Sequence, residues 1–309
     1  MVVPIFNERE SIPILHERLQ KTLGDLGVAS EIIYVDDGST DGSAEVLRSL
    51  TTTTCTRVIR FRRNFGQTAA VQAGIEHSAG DVLVFLDGDL QNDPADIPRL
   101  LDQLALGSDV VSGWRQNRQD KWLSRRLPSQ VANWLISRVT GVPLKDYGCT
   151  LKAYRREVLE NVHLYGEMHR FVPAIASWSG AKVTEIPVTH HAREFGTSKY
   201  GISRTFRVLL DLLTVKFLGS YSTKPIYAFG FPGVILWAAA ALAAVTVVVQ
   251  RVFPPHARAV TNPLFLLSVF FATLGTLFIM MGLLAELTIR TYHESQGKRT
   301  YVVRDEFTP

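Results

Sequence analysis

The amino-acid sequence predicts an α/β domain with a mainly parallel sheet, followed by a two-helix membrane hairpin. Strand-like and helix-like patterns alternate over residues 1–112, which is typical of a parallel sheet flanked by helices. Acidic residues recur where the predicted strands end, and ligands bind at that edge of such sheets. Near the C-terminus, two long segments contain no Asp, Glu, Lys or Arg. Each is longer than the ~20 apolar residues that cross a bilayer.

The predicted strands are short runs rich in Val, Ile and aromatic residues, bounded by polar or turn-forming residues. They cover residues 2–6, 31–36, 57–61, 82–87 and 109–113. Helical patterns lie near residues 10–24, 41–50, 67–79 and 94–106. Residues 114–200 are more mixed and predict a basic helix over 121–139, a short strand and a helix start within 145–159, and a strand over 181–188.

The segment just before the uncharged stretches is amphipathic and basic. Its apolar residues share one helical face, whereas Arg204 and Arg207 lie on the other. A basic amphipathic helix beside a membrane span is typical of segments that lie in the interface. An ordinary packed surface helix is the alternative.

The two uncharged stretches predict membrane spans at about residues 225–250 and 259–289. The loop between them carries two Arg, whereas residues 204–224 and 290–304 together carry eight Lys or Arg. By the positive-inside rule, both flanks are cytoplasmic. The β-forming residues 300–303 predict a strand in the tail that pairs with a sheet edge.

Overall charge argues against wholesale nucleic-acid binding, and cysteine usage argues against a disulfide. Lys and Arg total 33 against 29 Asp and Glu, and a net charge of +4 is too small for wholesale nucleic-acid binding. It suits a localised contact with anionic lipid or phosphate. Cys55 and Cys149 lack CxxC spacing, so we expect reduced thiols in a cytosolic compartment. The chain opens directly on a strand pattern, which leaves open whether a short leader precedes it.

Asp87 and Asp89 follow a buried strand directly, and carboxylates with this spacing can share one hard cation. Mg²⁺ usually takes one or two protein carboxylates and keeps positions for water and substrate phosphate. The spacing alone is weak evidence because Asp-x-Asp is common in loops. His190 and His191 are not expected to bind a metal, since adjacent residues of a strand point in opposite directions.

Four motifs occur in a fixed order along the chain: VVPIFNE at 2–8, YVDDGSTDGS at 34–43, FLDGDLQNDP at 85–94 and REFGTSKY at 193–200. In this order they resemble glycosyltransferase family 2, whose members have the GT-A fold. More closely, the chain is similar to polyprenyl-phosphate sugar transferases such as dolichyl-phosphate mannose synthases and bacterial polyisoprenyl-phosphate glucosyltransferases. The resemblance covers essentially the whole chain, including the two C-terminal spans. It is specific for the family and not for the sugar.

The resemblance implies which residues hold the donor and the metal. The donor-binding residues would be Pro4, Phe6, Glu8, Asp36, Asp37, Ser39, Asp87 and Gly88. Among these, Asp37 would read the base, with Asp36 and Ser39 supporting it, although helix capping can also explain the Asp pair. Asp87, Asp89 and Gln91 would hold Mg²⁺ or Mn²⁺ and the diphosphate.

The resemblance also implies a basic acceptor side that binds a lipid phosphate. Its residues would be Arg115, Arg125, Ser129, Arg193 and Lys199. Arg193 would also bridge to the leaving diphosphate, because a planar guanidinium binds phosphate oxygens in pairs. A membrane-surface charge cluster is the alternative, and Arg126 competes with Arg125 for the role. Asp146 would contact sugar hydroxyls or orient an acceptor-side group, so Asp89, Arg193 and Asp146 are the predicted catalytic residues.

We therefore expect a GT-A catalytic domain over residues 1–201, an interfacial segment over 202–224, a hairpin over 225–289 and a cytoplasmic tail over 290–309. The expected reaction is inverting transfer of a hexose, with UDP-glucose favoured, to polyprenyl phosphate at a bacterial inner membrane. The product would serve cell-envelope glycan modification.

Several alternatives stay open at this point. The donor could be GDP-mannose or a modified UDP-sugar, and the chain could be a non-catalytic nucleotide-sugar-binding scaffold. A processive polysaccharide synthase is disfavoured because no Gln-x-x-Arg-Trp motif occurs. The sequence fixes neither the lipid length nor the oligomeric state, and a homo-oligomer is left open.

Overall fold

The computed structural model describes residues 1–51, 55–116, 127–160, 168–195, 224–253 and 262–296, with short stretches between 162 and 221. The chain divides into two compact units, Met1–Val215 and Lys216–Pro309. Most of the predicted interfacial segment 202–224 and the whole predicted strand 300–303 lie outside the described residues. The predictions for those segments therefore stay predictions.

Seven strands of the first unit form a single sheet. They are Val2–Ile5 (β1), Ile32–Asp36 (β2), Thr56–Arg60 (β3), Val82–Phe85 (β4), Val110–Arg115 (β5), Lys152–Arg155 (β6) and Val183–Val188 (β7). Each predicted strand is confirmed to within about two residues at either end. The dense apolar runs of β1, β2 and β4 suit strands that are covered on both faces.

The sheet is mixed because one strand runs against the others. Its order is β3-β2-β1-β4-β6-β5-β7, and β6 is antiparallel to both β4 and β5. The remaining strands are parallel to one another. Because β6 is reversed, its first residue, Lys152, lies at the edge where the other strands end. The loop that precedes β6 therefore also reaches this edge, which we call the carboxyl edge.

Seven helices of the described residues flank the strands in the first unit. They are Ser11–Leu26 (α1), Ser43–Leu50 (α2), Gln67–His77 (α3), Ile97–Ala105 (α4), Leu127–Thr140 (α5), Arg156–Leu159 (α6) and Val172–Trp178 (α7). On α1, Ile12, Leu15 and Leu19 recur at helical spacing and are fully buried in the main core. Burying each such side chain stabilises the fold by about 1.5–3 kcal/mol.

The second unit consists of two long apolar helices, Ile226–Val252 (α8) and Pro263–Gln296 (α9). Over Ile226–Val252 and Pro263–Ile289, both are long and apolar enough to cross a membrane by length and composition. The second helix begins four residues later than predicted. Asn262 explains this, because its side-chain oxygen accepts from the backbone N–H of Leu264 and caps the helix, with Pro263 as first residue.

Glycines bring the backbones of α8 and α9 into direct contact. A Cβ at Gly275 would lie 2.5 Å from Trp237 Cδ1 and 2.9 Å from the carbonyl oxygen of Gly233. A Cβ at Gly233 would meet the carbonyl oxygen of Gly275 at the same distance. Small residues that allow such close approach are typical of helix pairs in membranes. The predicted two-helix hairpin is thus present as a packed pair.

Candidate active site

The predicted site residues follow strands that end at the carboxyl edge. The loop after β1 carries Glu8, the loop after β2 carries Asp37, and the turn after β4 carries Asp87 and Asp89. The loop after β7 carries Arg193. Pro4 lies within β1, paired with Val35 of β2, and Phe6 follows β1 half-buried.

The loops after β1 and β2 are joined by hydrogen bonds. Asn7 donates its backbone N–H to Ser39 Oγ at 2.9 Å, and its side-chain oxygen accepts from the N–H of Thr40 at 2.8 Å. Asn7 has a φ of 54°, a conformation that Asn tolerates better than most residues. The backbone N–H of Glu8 donates to Ser43 Oγ at 3.0 Å. Glu8 and Ser39 are both predicted to bind the nucleotide-sugar donor, and these hydrogen bonds hold them on one wall of the site.

Asp36 and Asp37 support the same wall. Asp36 Oδ1 accepts from the N–H of Ser39 at 2.9 Å. Asp37 accepts from the backbone N–H groups of Phe65 at 2.6 Å and Gly66 at 2.9 Å. A carboxylate oxygen has two lone pairs, so Asp37 keeps capacity to accept from a bound base. Burial, and to a lesser extent Asp36, raises the pKa of Asp37.

The turn after β4 holds two carboxylates close together. Asp87 Oδ1 accepts from Gln67 Nε2 at 2.7 Å, and Asp89 Oδ1 accepts from the backbone N–H of Gln91 at 3.2 Å. Burial and the neighbouring charge of Asp89 raise the pKa of Asp87 to about 7. Leu90 is buried with a φ of 61°, a strained conformation of the kind that clusters at functional sites. Gly88 packs directly on β1.

Arg193 joins the two walls of the site. Its guanidinium lies 2.5 Å from Asp89 Oδ2 and 3.8 Å from Glu8 Oε1. The side chains of Arg193, Asp89 and Glu8 are only 20%, 10% and 12% exposed, so solvent screens these pairs less than surface ion pairs. The structure thus brings together three residues that stand far apart in the sequence.

The loop that carries Arg193 is fixed to the segment after Asp89. His190 forms an isolated antiparallel bridge with Asn92, and the N–H of His191 donates to the carbonyl of Gln91 at 2.8 Å. Just before them, the N–H of Thr189 donates to Asp96 Oδ2 at 2.6 Å. The two histidines make this attachment through their backbone atoms, and the expectation about metal binding stays a prediction.

Arg115 and Asp146 form a bidentate ion pair. Arg115 Nε donates to Asp146 Oδ2 at 2.7 Å, and Nη2 donates to Oδ1 at 2.9 Å. Glu185 on β7 holds the loop in place, because its carboxylate accepts from the backbone N–H groups of Lys145 and Asp146. Two residues predicted separately for the acceptor side are therefore partners. Asp146 holds the Arg115 guanidinium in place, and its predicted catalytic role stays a prediction.

Lys152 is a buried cation behind the site that the sequence did not mark. Its ammonium donates to the backbone carbonyls of Tyr147 and Cys149. Burial lowers the pKa of Lys152 to about 8. Lys152 pairs across the sheet with Phe85, two residues before Asp87. It therefore fixes the 147–149 segment and adds positive potential beneath the carboxylates.

The donor atoms of Asp87 and Asp89 fit a divalent cation. Within the part of the chain that the structure describes, no three His, Cys, Asp or Glu side chains form a metal cluster. A cation here would have two carboxylates and open positions, as Mg²⁺ does when substrate phosphate completes its shell. The raised pKa of Asp87 reflects burial and repulsion that a cation would relieve. The side-chain amide of Gln91 makes no hydrogen bond to the described residues, so it is available as a further ligand.

The other predicted residues are only partly covered. Ser129, on α5, lines a cavity together with Arg115 and Asp146. Arg125 and Lys199 lie outside the described residues. Gln67, Glu185 and Lys152 were not predicted, and no motif could have found them, because each acts through a partner that is distant in sequence.

Comparison with known proteins agrees with this geometry. A family model described as "Glycosyl transferase family 2" matches residues 1–162. Dodecaprenyl-phosphate galacturonate synthase from Rhizobium johnstonii is 43% identical over 312 residues, covering 99% of this chain and 92% of the relative. Undecaprenyl-phosphate 4-deoxy-4-formamido-L-arabinose transferase from Salmonella paratyphi B is 38% identical over 311 residues, covering 100% of this chain and 93% of the relative.

Solved structures show the same fold at low identity. Glucosyl-3-phosphoglycerate synthase from Mycobacterium tuberculosis, solved in complex with Mn²⁺ and UDP-glucose, has a TM-score of 0.56 and is 18% identical. The match covers 70% of this chain and 77% of that chain, and it confirms the predicted GT-A fold. With the family model over its first half and relatives along its whole length, this chain belongs to glycosyltransferase family 2.

Proposed function

We propose that this protein transfers a sugar, with inversion, from a nucleoside diphosphate donor to polyprenyl phosphate. The observation that carries the proposal is the contact of Arg193 with Asp89 at 2.5 Å. The guanidinium of Arg193 is suited to binding phosphate, and the carboxylate of Asp89 is suited to binding a metal that carries a diphosphate. The two groups meet at the carboxyl edge. The names of the two bacterial relatives support a polyprenyl-phosphate acceptor.

A phosphate acceptor also suits the chemistry of the site. The second pKa of a phosphate monoester is about 6, so the acceptor is mostly dianionic at neutral pH and needs no strong general base. Its oxygen attacks the anomeric carbon while the bond to the nucleoside diphosphate breaks on the opposite face. The chain's task is then to align the two phosphates and to stabilise the leaving group.

Named residues take up these tasks in the proposal. Glu8, Asp37 and Ser39 bind the nucleoside, and Arg193 moves from Asp89 to the phosphates when both substrates are bound. Arg115, held by Asp146, faces the acceptor phosphate. A divalent cation at Asp87 and Asp89, Mg²⁺ or Mn²⁺, would neutralise charge on the leaving diphosphate. The Mn²⁺ and UDP-glucose named for the structural neighbour support a divalent cation and a uridine donor.

The identity of the sugar is the open part of the proposal. The sequence favours UDP-glucose, whereas the relatives are named for galacturonate and a formamido-arabinose. Sugar selectivity depends on a few contacts around the ring, and identities near 40% leave room for those contacts to differ.

The proposed location is the bacterial inner membrane, with the catalytic unit in the cytoplasm. The two apolar helices supply an anchor, and most of their large apolar side chains are exposed within the chain itself. Such surfaces need lipid or another apolar partner. A polyprenyl acceptor is confined to the same bilayer, so anchoring also concentrates the enzyme with its substrate.

A donor panel tests the proposal. Purified protein, polyprenyl phosphate and Mg²⁺ or Mn²⁺ are incubated with UDP-glucose, UDP-galactose, UDP-galacturonate, UDP-N-acetylglucosamine or GDP-mannose. Lipid-linked product is counted after organic extraction, and an Asp89→Asn preparation serves as the blank. We expect product from at least one UDP-sugar. Tight donor binding without product from any donor would favour the non-catalytic scaffold.

A further inference from the structure

A cavity of about 590 Å³ opens beside the site, between the end of β5 and helix α5. Trp114, Arg115, Ser129, Lys145 and Asp146 are among the residues that line it. Its size falls within the usual range for small-molecule sites. The proposed nucleotide wall and the metal carboxylates do not line this cavity, so its occupant is a different part of the substrates.

The position of the cavity selects the sugar or the acceptor as that occupant. The nucleotide wall belongs to β1 and β2, on one side of β4, whereas β5 lies on the other side, beyond β6. Arg115 in the cavity wall is close enough to Asp87 to act on its charge. A donor whose diphosphate lies at Asp87 and Asp89 therefore directs its sugar toward this cavity.

Two of the described residues that line the cavity are cations, and one of the two forms no ion pair. Arg115 forms a bidentate ion pair with Asp146. Glu185 is not part of the cavity wall; it accepts from the backbone N–H groups of Lys145 and Asp146, and its carboxylate is near enough for the charge of Lys145 to act on it. The Lys145 side chain is exposed, with its ammonium 4.0 Å from the centroid of the Trp114 ring. Among the described residues, Lys145 forms no ion pair within 4.0 Å. The indole face holds the ammonium in place by a cation–π contact without neutralising it.

We propose that Lys145 binds the carboxylate of a hexuronate donor and so determines which sugar is transferred. A single ammonium that forms no ion pair within 4.0 Å matches a monoanionic carboxylate. Trp114 adds an apolar surface beside the charge, which suits the C–H face of a pyranose. This inference rests on the proposed transfer to polyprenyl phosphate, because it assumes that the cavity receives a donor sugar.

The anion that Lys145 binds could also be the phosphate of the polyprenyl acceptor. The test separates this phosphate from the carboxylate of the donor sugar. UDP-galacturonate and UDP-galactose differ only in whether C6 carries a carboxylate. For Lys145→Gln, we expect kcat/KM with UDP-galacturonate to fall roughly 10- to 100-fold, the size of a lost charge-assisted hydrogen bond. With UDP-galactose the change should stay below about threefold. Lys145→Arg keeps the charge and should retain most of the preference for the uronate.

Lys182→Gln is the matched control, because Lys182 is exposed just before β7, at the sheet edge opposite the site. Equal losses with both donors would mean that Lys145 serves the acceptor phosphate and would overturn the inference, as would no loss with either. Calorimetric binding of the two UDP-sugars to parent and Lys145→Gln protein tests the inference without turnover. If parent protein binds UDP-galacturonate more tightly through Lys145 yet makes no lipid-linked product, the proposed function fails and the sugar assignment stands.

Discussion

Among single residues, Asp87 lowers the free energy of unfolding when its buried carboxyl group is charged. Its pKa of about 7 in the folded chain lies well above its ordinary value of 3.8, because burial and Asp89 disfavour the charged form. A carboxyl group whose folded pKa is raised takes up a proton more readily in the folded state. The stability of the cation-free protein therefore falls as pH rises from about 4 to about 7, and the cost is complete above that window.

Asp87→Asn should stabilise the cation-free protein and abolish sugar transfer. We expect the cation-free variant to melt about 2–4 °C higher than the parent at about pH 8, with a smaller difference at about pH 5 where the parent is protonated. Transfer should fall by at least about 100-fold, because a neutral amide removes one of the two negative charges that would hold the cation. Asp102→Asn, an exposed change on α4, should alter neither quantity. A lower melting temperature for Asp87→Asn at both pH values would contradict the account of Asp87.

Arg193→Lys tests whether the guanidinium works through its geometry or only through its charge. Lys cannot reproduce the paired contacts of a planar fork, so turnover should fall roughly 100-fold or more. UDP binding should suffer less, because the lost contacts belong mainly to the transition state. Both are measured in one preparation, with Arg48→Lys on the exposed face of α2 as control. Parent-like turnover would reduce Arg193 to a membrane-surface charge.

The sequence could predict that the candidate site residues lie together at one edge of the sheet, but it could not predict the residues that hold them there. Asp87, Asp89 and Glu8 stand in motifs at strand ends, and strand ends of a parallel sheet meet at one edge. Gln67 contacts Asp87 from 20 residues away, and Glu185 contacts the 145–146 backbone across 40 residues. Such partners are set by tertiary packing, on which local pattern carries no information.

Among the secondary-structure elements, β6 is the strand whose direction the sequence did not predict. Residues 152–155 alternate in a way that predicts a strand of either direction. Their antiparallel placement between β4 and β5 brings Asp146, Tyr147 and Lys152 to the carboxyl edge. The positions of the two apolar helices were predictable, since an uncharged run of that length has few other structures available.

The contact between α8 and α9 makes a prediction about glycine. Gly275→Leu should drive a side chain into Trp237 and the Gly233 carbonyl and destabilise the helix pair by about 1–3 kcal/mol. Gly230→Ala is the control, because its Cβ would meet nothing closer than 3.6 Å. The measurement is thermal unfolding of the full-length protein in detergent. Equal midpoints for Gly275→Leu and the parent would show that the helices need no close backbone contact.

For the whole molecule, the anchor predicts a defined topology. Single cysteines are placed at Ser49, which is exposed on α2, and at Thr261 and Ser295, in a background in which Cys55 and Cys149 are replaced by Ser. A membrane-impermeant thiol reagent should label the Thr261 position in intact cells and reach the other two only after lysis, because the Lys and Arg bias favours cytoplasmic flanks. Labelling of the Ser295 position in intact cells would refute the hairpin.

The central claim is that the Asp87–Asp89–Arg193 site joins a nucleotide-linked sugar to a lipid phosphate. Its most direct test is the transfer of labelled sugar from the active UDP-donor to polyprenyl phosphate, in parallel with unphosphorylated polyprenol. The account predicts organic-phase label with the phosphate alone, an inverted anomeric linkage in the product, and loss of both in Asp89→Asn protein. Equal label with unphosphorylated polyprenol, a retained configuration, or full transfer by Asp89→Asn would contradict it.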